Sequence, residues 1–175
     1  MSSVTPRSHH LLIDIARAAI ERHLDLPADT PDLLPDAWPE PRGVFVTLNR
    51  ADGSLRGCIG HVRPILDSLK AEIEACAVAA ATRDPRFTPV TADELPSLSI
   101  ELSILEPPES IASIDELDPE LFGVIVRAGS KTGVLLPHLE GVDTVHYQVS
   151  LAMRKGGIAP SEPHSLERFR VTKIR

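Results

Sequence analysis

The residues best placed to do chemistry lie together in Gly53-Ser54-Leu55-Arg56-Gly57-Cys58-Ile59-Gly60-His61, where one thiol stands between two glycines, close to a cation and an imidazole. If residues 55–59 form a strand, Arg56 and Cys58 project from the same face. A guanidinium there would stabilise the thiolate, the form of cysteine that acts as nucleophile and redox centre. Gly57 and Gly60 would let a ligand or a second backbone approach closely. His61 could act as a base if the chain bends at Gly60; without a bend it points to the opposite face. The same residues also fit a packing role, because free cysteine is commonly a small buried side chain and glycines permit tight hairpin packing. Cys58 is thus either an activated group served by Arg56 and His61, or part of the core.

Further groups stand elsewhere in the chain. Arg83-Asp84-Pro85-Arg86-Phe87 sets two arginines around an Asp-Pro corner. They could clamp a carboxylate or phosphate bidentately, or satisfy the last helix carbonyls and pair with Asp84. Glu101 lies between two serines on the polar side of an alternating run, as a carboxylate base, a ligand group or a solvated residue. His138 follows Pro137 at a strand end, and His146 sits on a late helix. Cys58, His61, Glu101, His138 and His146 could meet at a metal only by tertiary convergence, and no local pair has a ligand spacing, so no metal site is expected. Cys76 falls on the apolar face of a helix and reads as core. Glycine-rich nucleotide motifs, a Gly-x-Ser-x-Gly elbow and a His-Glu-x-x-His pair are absent from the sequence.

These groups need elements to hold them. Residues 8–25 repeat as an amphipathic helix, with Leu12, Ile15, Ala16, Ala19 and His23 on one face and Ser8 as N-cap. Residues 27–41 hold five prolines and read as a surface loop anchored by Trp38. Residues 44–48 and 55–59 predict a hairpin closed by Asp52-Gly53. Residues 64–82 predict a helix opened by Pro64, with Ile65, Leu69, Ile73, Cys76 and Ala80 at helical spacing and Asp84-Pro85 as its stop. Leu98, Ile100, Leu102 and Ile104 alternate with polar residues as a strand that ends at Pro107-Pro108. A helical turn over 115–120 follows, then a second hairpin of 122–127 and 133–136. Asp143 could cap a helix to Lys155 that stops at Gly156, and residues 166–174 form a last strand with Phe169 and Val171 inward. Helices and hairpins without regular β-α-β units predict an α+β fold with a largely antiparallel sheet flanked by helices.

The 175 residues suit one domain, or one domain with a small lobe. Aromatics make up only 3% of the chain, so aliphatic residues must fill the core. A formal net charge of -7 disfavours nucleic-acid binding, which draws its affinity from phosphate neutralisation. Two cysteines make no disulfide framework and fit a reducing cytoplasm. No apolar run approaches the roughly 18 residues of a membrane span, and no signal-peptide core appears.

Leu55-Arg56-Gly57-Cys58-Ile59-Gly60 resembles the hallmark hexapeptide of the AMMECR-one domain family. Gly43-Val44-Phe45-Val46-Thr47-Leu48 before it, and Arg83-Asp84-Pro85-Arg86-Phe87, Glu94-Leu95-Pro96, residues 100–105, Gly123-Val124-Ile125-Val126 and Gly133-Val134-Leu135-Leu136-Pro137 after it, match in the same order, from about residue 10 to 174. The resemblance implies a single domain with a larger and a smaller subdomain, and a candidate cleft lined by residues 56–60 and 83–87. Prokaryotic members resemble one component of a three-protein set with a Memo-like and a radical SAM protein, which implies those partners. The resemblance carries no established reaction and no known cofactor. The segment His138 to Asp143 is short beside other members. The expected functions are an enzyme component using Cys58 on a small anionic ligand anchored by Arg83 and Arg86, with Asp84 at the corner between them, or a non-catalytic scaffold using the same cleft. Nucleic-acid binding ranks last.

Overall fold

The structure, a computed structural model, describes residues 6–29, 31, 38 and 40–175, with side chains from residue 10 onward. The chain divides into two compact units: one comprises residues up to Ile104 together with Thr172–Arg175, the other Leu105–Val171. Among the described residues the fold is α+β with two antiparallel sheets of four strands. Most of the proline-rich stretch lies outside the described residues, but Trp38 is buried in the core of the first unit as expected.

In the first unit the strands β1 (Val44–Asn49), β2 (Leu55–His61), β3 (Ser99–Leu105) and β8 (Val171–Ile174) are ordered β2-β1-β3-β8. The predicted hairpin is β1 and β2. Its turn is held by Gly53 at φ 81°, a conformation glycine adopts without steric cost. Strand alternation sorts this sheet into two faces. Val44, Val46 and Leu48 pair with His61, Ile59 and Gly57 on one side, and with Ile104, Leu102 and Ile100 on the other. That face is the apolar one, and α1 (Pro6–His23) and α2 (Leu69–Thr82) contribute Leu12, Ile15, Ile20, Ile73, Cys76 and Ala80 to its core.

Both helix starts differ from the expected ones. α1 begins at Pro6 rather than at a Ser8 cap, because proline's fixed φ suits the first turn, and His23 at its other end is exposed. α2 begins at Leu69, not Pro64. The Ser68 side chain accepts the Ala71 N–H as N-cap, and residues 62–68 form a loop whose Ile65 and Leu66 N–H groups donate to the Glu72 carboxylate. Ile65 is therefore 68% exposed instead of lying on the apolar helix face.

The second unit holds β4 (Glu109–Ile111), β5 (Gly123–Ala128), β6 (Lys131–Leu135) and β7 (Ser165–Phe169) in the order β4-β7-β5-β6, with α3 (Val145–Lys155) packed on β5 and β6. Its hairpin turns at Gly129 through a two-residue loop, three residues shorter than the predicted strands allow. Thr144, not Asp143, caps α3. The predicted helical turn is a short 3₁₀ segment, Ile114–Glu116, and the chain re-enters a sheet after Pro107-Pro108 as β4. The predicted last strand is two strands, β7 and β8, in different sheets. Phe169 is buried, whereas Val171 is only half-buried.

Candidate functional site

The face of the first unit's sheet that lacks the helices carries the thiol. Thr47 is the register partner of both Cys58 and Glu101, so Cys58, Thr47 and Glu101 form one row across β2, β1 and β3. The Thr47 hydroxyl donates to Cys58 Sγ at 3.4 Å. Cys58 is half-buried and unpaired with Cys76. Glu101 stands two strand spacings from the thiol, roughly 4.8 Å each, and binds Arg175. Beside the row, Thr47, Asn49, Ser99, Glu101 and Arg175 line a groove of about 510 Å³.

β2 is the edge strand of this sheet, so the outward N–H of Cys58 needs a partner from elsewhere. Asp84 supplies it: its Oδ2 accepts that N–H at 2.8 Å, and both carboxylate oxygens accept from the Arg86 guanidinium at 2.9 and 2.6 Å. The hydrogen bonds from Arg86 hold the Asp84 carboxyl well below the usual carboxylate range. In return Arg86 is raised, chiefly by its hydrogen bonds to Asp84, whose Oδ2 it shares with the Cys58 N–H.

Arg56 is held differently. Its side chain is buried, and its guanidinium makes a two-point bond to Glu94, with 2.5 Å from Nε and 2.9 Å from Nη2. This pairing lowers the Glu94 pKa. The guanidinium also lies 5.8 Å from the Phe87 ring centroid, and its Nη1 has no hydrogen-bond partner. Arg56 is thus committed to Glu94, whereas Arg86 is tied through Asp84 to the Cys58 backbone. Arg83 diverges from Arg86 and lines a groove between α1 and α2 with Arg22 and Glu74.

The glycines do not open space for a ligand. A side chain on Gly57 would sit 2.2 Å from the Ala80 carbonyl oxygen of α2, and one on Gly60 would sit 2.4 Å from Phe45 Cα. β2 runs unbroken through Gly60, so His61 faces the helix side, away from Cys58. There its Nδ1 lies 2.6 Å from Glu72 Oε1 and 3.6 Å from Cys76 Sγ. Burial, with the Glu72 charge adding to it, pushes the Cys76 thiol up to about 12. His138 belongs to the second unit, where it takes φ 55° and pairs with Glu120 at 2.6 Å. His146 lines another groove of that unit with Val149, Met153 and Ile158.

Thr47, Glu72 and Glu94 were not singled out from the sequence. Thr47 could have been found from the hairpin register, which sets it opposite Cys58. Glu72 could have been found from its one-turn spacing to Cys76. Glu94 heads the Glu94-Leu95-Pro96 segment of the family resemblance, and its contact with Arg56 gives it a role.

The model of the AMMECR1 family matches residues 13–174. A Thermotoga maritima protein is 51% identical over 133 residues, covering 76% of each chain. A Methanothermobacter thermautotrophicus protein is 42% identical over 156 residues, 83% of this chain and 80% of its own. The crystal structure of the uncharacterized protein PH0010 from Pyrococcus horikoshii superposes with a TM-score of 0.85 at 31% identity, over 97% of this chain and 92% of that one. A 46% identical match in Clostridium acetobutylicum takes up 28% of that protein.

Proposed function

Because this chain belongs to the AMMECR1 family, we propose that its working surface is the sheet face around Cys58, and that it is a cytoplasmic enzyme component whose thiol acts on a small polar or anionic ligand. The observation that carries this reading is the row of Cys58, Thr47 and Glu101, with the Thr47 hydroxyl donating to the sulfur and a groove at the Thr47–Glu101 end of the row. Cys58 is the nucleophile or redox thiol. Thr47 and Arg86 are the donor and the cation that a thiolate uses. Glu101 and Arg175 give the groove one acidic and one basic group with which to orient a ligand. Arg56 is a positioning residue, since its guanidinium and that of Arg86 lie over the same Phe87 ring, 5.8 and 5.5 Å from its centroid.

The partners proposed are the Memo-like and radical SAM proteins of the three-component set. A related segment inside a much longer Clostridium chain supports work alongside other domains. The second reading is a scaffold that uses the same face without chemistry. The close packing around Gly57 and Gly60 favours it, because the hexapeptide then serves to shape a surface.

Alkylation of the native protein, followed by peptide mass spectrometry with Cys76 as internal control, tests the enzyme reading. Cys58 should label at least about a thousandfold faster than Cys76, because each tenfold of protection needs only ~1.4 kcal/mol of opening free energy and full opening spans roughly 5–15 kcal/mol. Equal protection of both thiols until unfolding would remove Cys58 as a reactive group. Cys58→Ala should keep the affinity for a Memo-like partner if the face is a scaffold. A selective loss of that affinity would count against the scaffold.

A further inference from the structure

Opposite the Cys58 thiol, on the helix side of β2, three different donor types converge. We propose that His61, Glu72 and Cys76 form a binding site for a divalent, borderline-soft metal ion of the Zn²⁺ class, independent of any role for Cys58. Imidazole, carboxylate and thiolate are the three side-chain ligands zinc accepts, and three protein ligands leave the fourth tetrahedral position for water or a bound molecule. One ligand atom from each residue lies within 4.8 Å of the others.

The two edges to His61 lie close to what the ion needs, and the third, between Glu72 and Cys76, lies within 4.8 Å and closes on binding. Zn–S and Zn–N bonds of about 2.3 and 2.0–2.1 Å at a tetrahedral angle set the two atoms roughly 3.6 Å apart. His61 Nδ1 and Cys76 Sγ are 3.6 Å apart. The 2.6 Å from Nδ1 to Glu72 Oε1 is a hydrogen bond. A bound ion replaces its proton and opens that edge by less than about 1 Å.

The support around the ligands has the pattern of a metal site. Glu72 uses only Oε1 toward His61, while its Oε2 is fixed by the N–H groups of Ile65 at 3.0 Å and Leu66 at 2.9 Å. Such outer hydrogen bonds orient ligating carboxylates. Glu72 and Cys76 stand one turn apart on α2, so a rigid helix sets their separation. A divalent ion also supplies the positive charge that a buried carboxylate and thiolate require. His61, with its side chain 41% exposed, forms the opening to solvent. On binding, the thiol releases its proton to solvent, and the imidazole stays neutral with its proton on Nε2.

Titration of the chelator-treated full chain with Co²⁺, followed by Zn²⁺ competition, tests the proposal. One Co²⁺ per chain should bind with a near-ultraviolet thiolate-to-metal charge-transfer band. Cys76→Ser should abolish that band, and His61→Ala should weaken binding more than about 100-fold, beyond the loss of an outer-shell partner. His61 is the solvent-side ligand, so His61→Ala decides the matter with circular dichroism as the fold control if Cys76→Ser fails to fold. Cys58→Ser should leave both binding and band unchanged. Absence of stoichiometric binding, a band that survives Cys76→Ser, or one that disappears in Cys58→Ser would each overturn the site. None of these readouts depends on Cys58 being reactive.

Discussion

The two cysteines sit on opposite faces of one small sheet and have opposite surroundings. Cys58 is on the face without helices, half-buried, with the hydroxyl of Thr47, a residue that also lines a groove, on its sulfur. Cys76 is on α2, fully buried, with its thiol pushed up to about 12 by burial and by Glu72. The same element therefore has a side suited to exchange with solvent and a side suited to holding something still. Which side a residue serves is decided by strand parity: Cys58 and His61 are three residues apart, an odd number, and so part company.

That contrast can be broken from the packed side first. In Gly57→Ala the new methyl meets the Ala80 carbonyl at 2.2 Å, a backbone atom that cannot step aside, so we expect a loss of about 3 kcal/mol or more in urea unfolding. Gly53→Ala, at φ 81° with open space around it, should cost only about 1–2 kcal/mol. Equal costs would mean that helix packing does not define the inner face.

The edge comes next. Asp84→Asn removes the charge that joins Arg86 to the Cys58 N–H, and should cost about 1–3 kcal/mol at neutral pH. The Asp84 pKa is depressed in the folded state, so its contribution is complete above the unfolded carboxylate value of about 3.9 and is lost as pH falls below it. The stability gap between wild type and Asp84→Asn should therefore shrink progressively below about pH 4. A gap that stays constant into that range would show that the charge is not what the edge uses. The smallest effect belongs to Thr47→Val. Without the hydroxyl, Cys58 labelling should slow by about two- to tenfold, the equivalent of one hydrogen bond of ~0.5–1.5 kcal/mol, with Cys76 unaffected. An unchanged rate would separate Thr47 from the thiol's chemistry.

Much of this arrangement can be read in the chain. The alternation of Ile100, Leu102 and Ile104 forces Ser99, Glu101 and Ser103 onto the other face, and the Asp-Gly turn fixes β1 against β2. The α+β class follows from such patterns, and the family from the hexapeptide. Less legible was the choice among possible partners. Arg56 and Cys58 share a face, yet a two-point carboxylate outcompetes a thiol for a guanidinium, and Glu94 lies 38 residues away. Pro64 is a good first helical residue, but Ser68 is a better cap and Glu72 draws the preceding loop onto itself. The division of residues 166–174 between two sheets leaves almost no local trace, since both halves have the composition of strands.

The order of strands also has a direction in time. Unit 1 leaves the chain at Ile104 and is resumed at Thr172, after all of unit 2. β8 closes the sheet beyond β3, and Arg175 then meets Glu101 at the groove. A ribosome must therefore translate every residue of the second unit before the groove of the first has its basic wall. Until then β3 is an unprotected margin on a nascent sheet, while the continuous segment from Leu105 onward already holds all four of its strands.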